Sequence, residues 1–281
     1  MTTPACIYLH DGSVEGLFTA LAVAVKEGKP VKTVCGREDY RPGLFDALRV
    51  VTTDADQAER LFSYLRQLGG GVLELVIHAY LAGSGREGIH LYRLLRLSLD
   101  YRGRVTELHS DASVHHLTRL SRRLKAEVHR LCGLIRFRTL RGEVLYAPFQ
   151  AEANVIGCLA AHFVFRLGEH AWILHDVDRD SALYWDGEEL RRVVIDPAFV
   201  RQVRRTGEAP LAELAADELC YQQLWRVFHR TTANPDRRNL VLQRQFMPRR
   251  YWRYLVERQG ESSRSGQASG GDRGLGPDHG G

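Results

Sequence analysis

Two rhythms of apolar and polar positions run along this chain, and the change between them divides it. In the first hundred residues, short apolar runs alternate with longer stretches in which apolar residues recur every three or four positions. Residues 5–9 read as a strand, broken by His10-Asp11-Gly12-Ser13. Ser13 is placed to cap a helix over 14–26 that Gly28 ends. Residues 31–34 and 49–52 read as two more strands. Asp54 caps a helix over 55–68, and Gly69-Gly70-Gly71 stops it. Helices over 72–81 and 87–101 follow, separated by Gly83-Ser84-Gly85.

The polar stretch 102–111 reads as a domain boundary. After it comes the strongest helical pattern, 112–131, where Val114, Leu117, Leu120, Leu124, Val128 and Leu131 form one apolar stripe. Arg119, Arg122, Arg123 and Arg130 fall on the other side. The rhythm then shortens to the period of strands. Residues 134–140 and 144–147 form a hairpin around Arg141-Gly142. A helix over 154–166, apolar nearly all round, reads as buried. Residues 172–177 and 182–185 form a second hairpin. A helix from Pro210 to about Arg230 and a second basic helix after Pro248 complete the pattern. The expected fold is α+β: a small α/β-helical region over 1–103, then helix–hairpin–helix–hairpin over 104–258, with an antiparallel sheet packed on helices. Beyond residue 258, Gly, Ser and Asp dominate, so 259–281 is expected to be disordered.

Charge sharpens this picture slightly. The chain carries 39 basic and 34 acidic residues, a formal +5. Lysine occurs only at Lys26, Lys29, Lys32 and Lys125, so nearly all the bases are arginines, whose planar fork suits phosphate and guanine edges. The five cysteines form no CxxC pair, which argues against a disulfide framework or a cysteine-rich zinc site. No run approaches the roughly 20 apolar residues of a membrane span, and the first residues lack a signal pattern, so a cytoplasmic protein with no membrane contact is expected. Neither a metal nor a cofactor is expected.

Several stretches carry a resemblance. They are His10-Asp11-Gly12-Ser13 with Glu15-Gly16-Leu17; Val114-His115-His116-Leu117 with Glu127-Val128-His129-Arg130; Gly133-Leu134-Ile135-Arg136-Phe137; and Leu145-Tyr146-Ala147-Pro148. His162-Phe163 with Arg166, Trp172-Ile173 with Asp176 and Arg179, and Gln243-Arg244-Gln245-Phe246-Met247-Pro248 before Arg250-Tyr251-Trp252 continue it. Together, over about residues 5–258, they resemble the bacterial family of DNA-repair or DNA-metabolism proteins that carries a C-terminal domain of unknown function. The resemblance implies a gene beside that of a radical-SAM protein, and in some relatives a fused uracil-DNA-glycosylase-like module. That module is absent here. Gly207-Glu208-Ala209-Pro210 resembles the start of its water-activating motif, but Leu211 stands where glycine is required.

Five groups of residues could carry function. His115, Arg122 and His129 are seven apart and share a helical stripe suited to phosphate contact or proton transfer. The two histidines lie about 21 Å apart along the axis, too far to share one metal. His162 and Arg166, with Asp176 and Glu152 as carboxylate partners, form a candidate polar cluster, structural or facing a substrate. Asp176, Asp178 and Asp180 imitate a calcium loop, but Ser181 and Gly187 occupy its glycine and glutamate positions, so a polar turn is expected. Around 237–253, arginines including Arg244, Arg249 and Arg250 interleave with Phe246, Tyr251 and Trp252, as single-stranded nucleic acid requires. The loop 10–13 could hold an anion or simply cap its helix.

No HExxH, GxSxG, zinc-deaminase or radical-SAM cysteine motif occurs. Three readings follow. The first is a DNA-binding accessory to a radical-SAM enzyme, with Arg119, Arg122, Arg123, Arg130, Arg244, Arg249, Arg250, Tyr251 and Trp252 as contacts to single-stranded or damaged DNA. The second is a nucleic-acid-directed hydrolase or lyase using His115, His129, His162 and Asp176. The third is a protein–protein adaptor.

Overall fold

The computed structural model of the chain describes residues 4–83, 85–234 and 239–258. The tail expected to be disordered, and Arg237 and Arg238 of the arginine-rich segment, lie outside the described residues. The chain forms two compact units: Met1–Glu127 with Glu152–Val155, and Val128–Ala151 with the residues from Ile156 onward.

The first unit holds β1 (Cys6–His10), α1 (Val14–Glu27), β2 (Val31–Gly36), β3 (Ala47–Val50), α2 (Ala55–Leu68), α3 (Val72–Ala82) and α4 (Gly88–Tyr101). The strands form a parallel sheet in the order β2-β1-β3. The caps are those expected. Ser13 accepts from the Gly16 N–H, Gly28 is left-handed at φ 63°, and Asp54 accepts from the Gln57 N–H. β3 starts two residues earlier than the apolar run suggests, because its ladder runs from Cys6↔Ala47 to Leu9↔Val50. Leu17, Phe18 and Leu21 of α1 bury a core with Leu65, Leu75, Val76, Leu91 and Leu94. α4 meets β2 so closely that a Cβ at Gly88 would strike the Val34 carbonyl, which leaves only glycine for that position.

The polar stretch expected to separate the domains lies inside this unit. Arg102–Glu107 is a 3-10 turn whose Val105 is fully buried, and it runs into α5 (Ala112–Leu134). Val114 and Leu117 of α5 enter the same core. The units divide within α5, at Glu127. Its buried carboxylate accepts the N–H groups of Glu152 (2.9 Å) and Ala153 (3.2 Å), and the Asn154 N–H reaches the Leu81 carbonyl. That returning loop therefore belongs to the first unit.

The second unit is built on a five-stranded sheet, β4 (Arg138–Thr139), β5 (Leu145–Phe149), β6 (Trp172–Asp176), β7 (Ser181–Trp185) and β8 (Leu190–Val193), in that order. The second expected hairpin, β6 with β7, is present, whereas in the first the strand expected over 134–140 is reduced to Arg138–Thr139, because α5 continues to Leu134. Every pair is antiparallel except β5 with β6, which run parallel with α6 (Ile156–Leu167) between them in sequence. Parallel neighbours need such a crossover. α6 is not buried all round, as its pattern suggests: Phe165 is 92% exposed.

α7 (Pro197–Thr206), capped by Asp196, α8 (Glu218–Thr232) and α9 (Leu240–Phe246) follow. The helix expected from Pro210 starts late. Leu211–Glu213 makes a 3-10 turn, and Leu214 then bridges Leu140 while the Ala215 N–H bonds the Thr139 carbonyl. The Thr139 N–H is satisfied by Glu218, so sheet-edge pairing displaces helix there. The expected basic helix after Pro248 is instead a 3-10 turn, Arg249–Tyr254.

Candidate nucleic-acid interface

α5 is preceded by Asp111, whose carboxylate accepts the N–H groups of Ser113 (2.8 Å) and Val114 (3.0 Å). Val114, Leu117, Leu124 and Leu131 are buried as their spacing requires. His115, Arg119, Arg122, Arg123 and His129 are exposed. Among the described residues, no carboxylate pairs with the side chains of Arg119, Arg122 or Arg123. Lys125 of the same helix, by contrast, is held by Glu74.

Four of the outward positions border a partly open hollow. Thr118, Arg119 and Arg122 follow His115 by three, four and seven positions, and with His109 of the preceding loop these residues line a cavity of about 300 Å³. Among the described residues, no carboxylate lines it. Sequence reasoning singled out neither His109 nor Thr118. Thr118 was legible as the turn between His115 and Arg122, whereas His109 comes near only because the 3-10 turn folds the loop onto the helix. His116 turns the other way and stacks on His90, with ring centroids 4.2 Å apart.

Arg130 is half-buried, which sets it apart from the exposed arginines of the same helix. The arginine–aromatic segment of the second unit is also largely engaged within the fold. Tyr251 is buried, with the Arg250 guanidinium over its ring and a 3.1 Å hydrogen bond to its hydroxyl. Trp252 donates to the Met247 carbonyl and lies beneath both Arg249 and Arg258. Tyr251 therefore presents no face for a base to stack on. Arg249 and Arg244 remain exposed.

The other candidate groups separate. Asp176 is fully buried and pairs with Arg179 (2.9 Å), three residues along the same hairpin, where Arg166 was the expected partner. Burial raises its carboxyl pKa against the pull of Arg179. His162 has its Nε2 buried without a hydrogen-bond partner among the described residues, Arg166 is exposed, and Glu152 belongs to the first unit. Of the four candidate catalytic groups, only His115 lines the cavity of α5. Asp176, Asp178 and Asp180 form the expected polar turn. Among the described residues, no group of three or more acidic, histidine or cysteine side chains could hold a metal.

The sequence also offered no reason to single out His175. It is buried in β6, with Nδ1 2.7 Å from the Tyr146 hydroxyl and Nε2 3.8 Å from Asp180. Burial lowers its pKa to about 4.

The family model for a domain of unknown function, DUF4130, matches residues 86–257. The chain belongs to this family. The DUF4130 region takes in α4, all of α5 and the five-stranded sheet, so every residue lining the cavity lies within it. No curated protein matches the chain. No helix among the described residues is long and apolar enough to cross a membrane.

Proposed function

We propose that this DUF4130 protein is a nucleic-acid-binding accessory in DNA repair or modification, presenting DNA to a radical-SAM partner enzyme. The observation that carries the reading is the outer face of α5, where Arg119, Arg122 and Arg123 stand exposed beside His115 without counter-ions among the described residues. Guanidinium groups that no carboxylate neutralises are available to phosphates, and their binding releases condensed counter-ions. The arginines of the second unit support the reading less. Arg136 pairs with Glu257, Arg191 with Asp186, and Arg138 serves backbone carbonyls.

Binding of single-stranded and duplex oligonucleotides across a salt series tests it. Affinity should fall steeply with salt. Replacing Arg119, Arg122 and Arg123 together by alanine should lower the logarithmic slope by about one for each phosphate that is no longer neutralised. Absence of binding at low salt refutes the reading.

One feature favours the adaptor role as a second reading. Tyr221, Leu224 and Phe228 on α8 form an i, i+3, i+7 stripe, and all three are more than half exposed. In this reading the stripe docks on the partner enzyme. Co-purification with the radical-SAM protein in the presence of nuclease, abolished in Leu224→Asp with Phe228→Asp, would separate protein contact from DNA contact.

A further inference from the structure

We infer that the α5 cavity is a pocket for a terminal phosphate monoester, so that the protein engages nucleic acid at an end or break; this rests on the nucleic-acid reading above. The first reason is shape. Internal phosphodiesters lie on a continuous backbone and suit an open, convex row of cations. The α5 site is instead a concavity of about 300 Å³, near the lower limit of roughly 300–1,000 Å³ typical of small-ligand pockets. A terminal phosphate, tethered on one side only, is free to point into such a hollow.

The donor set agrees. Arg119 and Arg122 supply two guanidinium forks, His109 and His115 two imidazoles, and Thr118 a hydroxyl. An internal diester offers two free oxygens and one negative charge. A terminal monoester offers three oxygens and about −1.5 to −2 charges near neutral pH, a better match to these donors. The backbone positions of the site are also fixed by one element. Four of the five residues project from consecutive turns of one helix, and Asp111, the nearby acid at its start, is occupied with the cap N–H groups of Ser113 and Val114. Arg123, one residue from the cavity wall, is exposed but does not line it. It therefore separates general backbone attraction from end recognition.

The test compares fluorescent single-stranded oligonucleotides of one sequence that carry a 5′-phosphate, a 3′-phosphate or hydroxyls at both ends. The inference expects a phosphorylated end to tighten binding about tenfold, the worth of one or two charge-assisted hydrogen bonds. The 5′ and 3′ arms tell which terminus supplies the monoester. Arg122→Ala should erase the difference, Arg122→Lys should restore some of it, and Arg123→Ala should weaken all three probes equally. Equal affinity for the three probes overturns the inference and leaves the nucleic-acid reading standing. If no oligonucleotide binds, a nucleoside monophosphate is titrated while the His115 ring resonances are followed by NMR. Saturable shifts that disappear in Arg122→Ala would support the pocket and refute the wider reading, and no shift would refute both.

Discussion

The side chains that matter most to this fold are polar groups taken out of water. Arg138 is 1% exposed and has no carboxylate partner among the described residues; its guanidinium donates to the carbonyls of Gly207 (3.1 Å), Tyr254 (3.2 Å) and Arg136 (3.5 Å). It thereby joins β4, the end of α7 and the C-terminal turn. Removing it leaves buried carbonyls unpaired, so Arg138→Ala should lower unfolding free energy by about 3 kcal/mol in urea titrations, with Arg138→Lys recovering only a fraction. His175 makes stability depend on pH. Its folded pKa of about 4 lies below the ordinary 6.5, so the unfolded chain binds the proton more tightly. The stabilisation is full above pH 6.5 and diminishes as pH falls from there toward 4, a total on the order of 3 kcal/mol. Asp176 opposes it, because a raised carboxyl pKa adds stability as pH falls. The urea midpoint measured between pH 7 and pH 5 should therefore decline less in His175→Gln than in the parent; an identical decline would show that His175 takes up its proton alike in the folded and the unfolded chain.

At the scale of elements, α5 carries two unlike faces. Leu117 is completely buried and packs in the first unit, so Leu117→Ala should cost about 2–5 kcal/mol. Arg122 on the other face should be replaceable by alanine within about 0.5 kcal/mol. Thermal denaturation of the two variants checks the contrast, and a large loss in Arg122→Ala would mean that the arginine is structural. This helix was legible because its apolar stripe repeats at the helical period over its whole length. The hairpins were legible from their alternation and their turn residues. α7, α9 and β8 were not: α9 is seven residues long, and β8 reads Leu-Arg-Arg-Val, too short and too polar to stand out. The start of α8 was misplaced because pairing of Leu214 and Ala215 with the β4 edge satisfies backbone groups that a helix would otherwise use.

For the whole molecule, the arginine content is a poor guide until each guanidinium is placed. Arg136, Arg138, Arg179 and Arg191 serve internal partners, whereas the first half of α5 leaves its arginines uncommitted among the described residues. The salt dependence of DNA binding should accordingly respond to α5 far more than to Arg250, which is tied to Tyr251. A double variant at Arg249 and Arg250 should change the slope little, and a strong effect there would move the interface to the second unit.

The sequence by itself determined the caps, the long amphipathic helix, the two hairpins and the mixed class of the fold, because period, capping chemistry and turn residues act over a few neighbouring positions. It also placed His115, Arg122 and His129 on one stripe and Arg119 on the side away from the apolar face. Only the tertiary structure decided that His109 joins His115, Arg119 and Arg122, that Asp176 takes Arg179 as its partner, that Tyr251 is closed off and that the units divide inside α5. Those outcomes depend on which distant groups share a low-dielectric interior, where an unpaired donor or charge is costly, and that competition is settled among residues far apart in the chain.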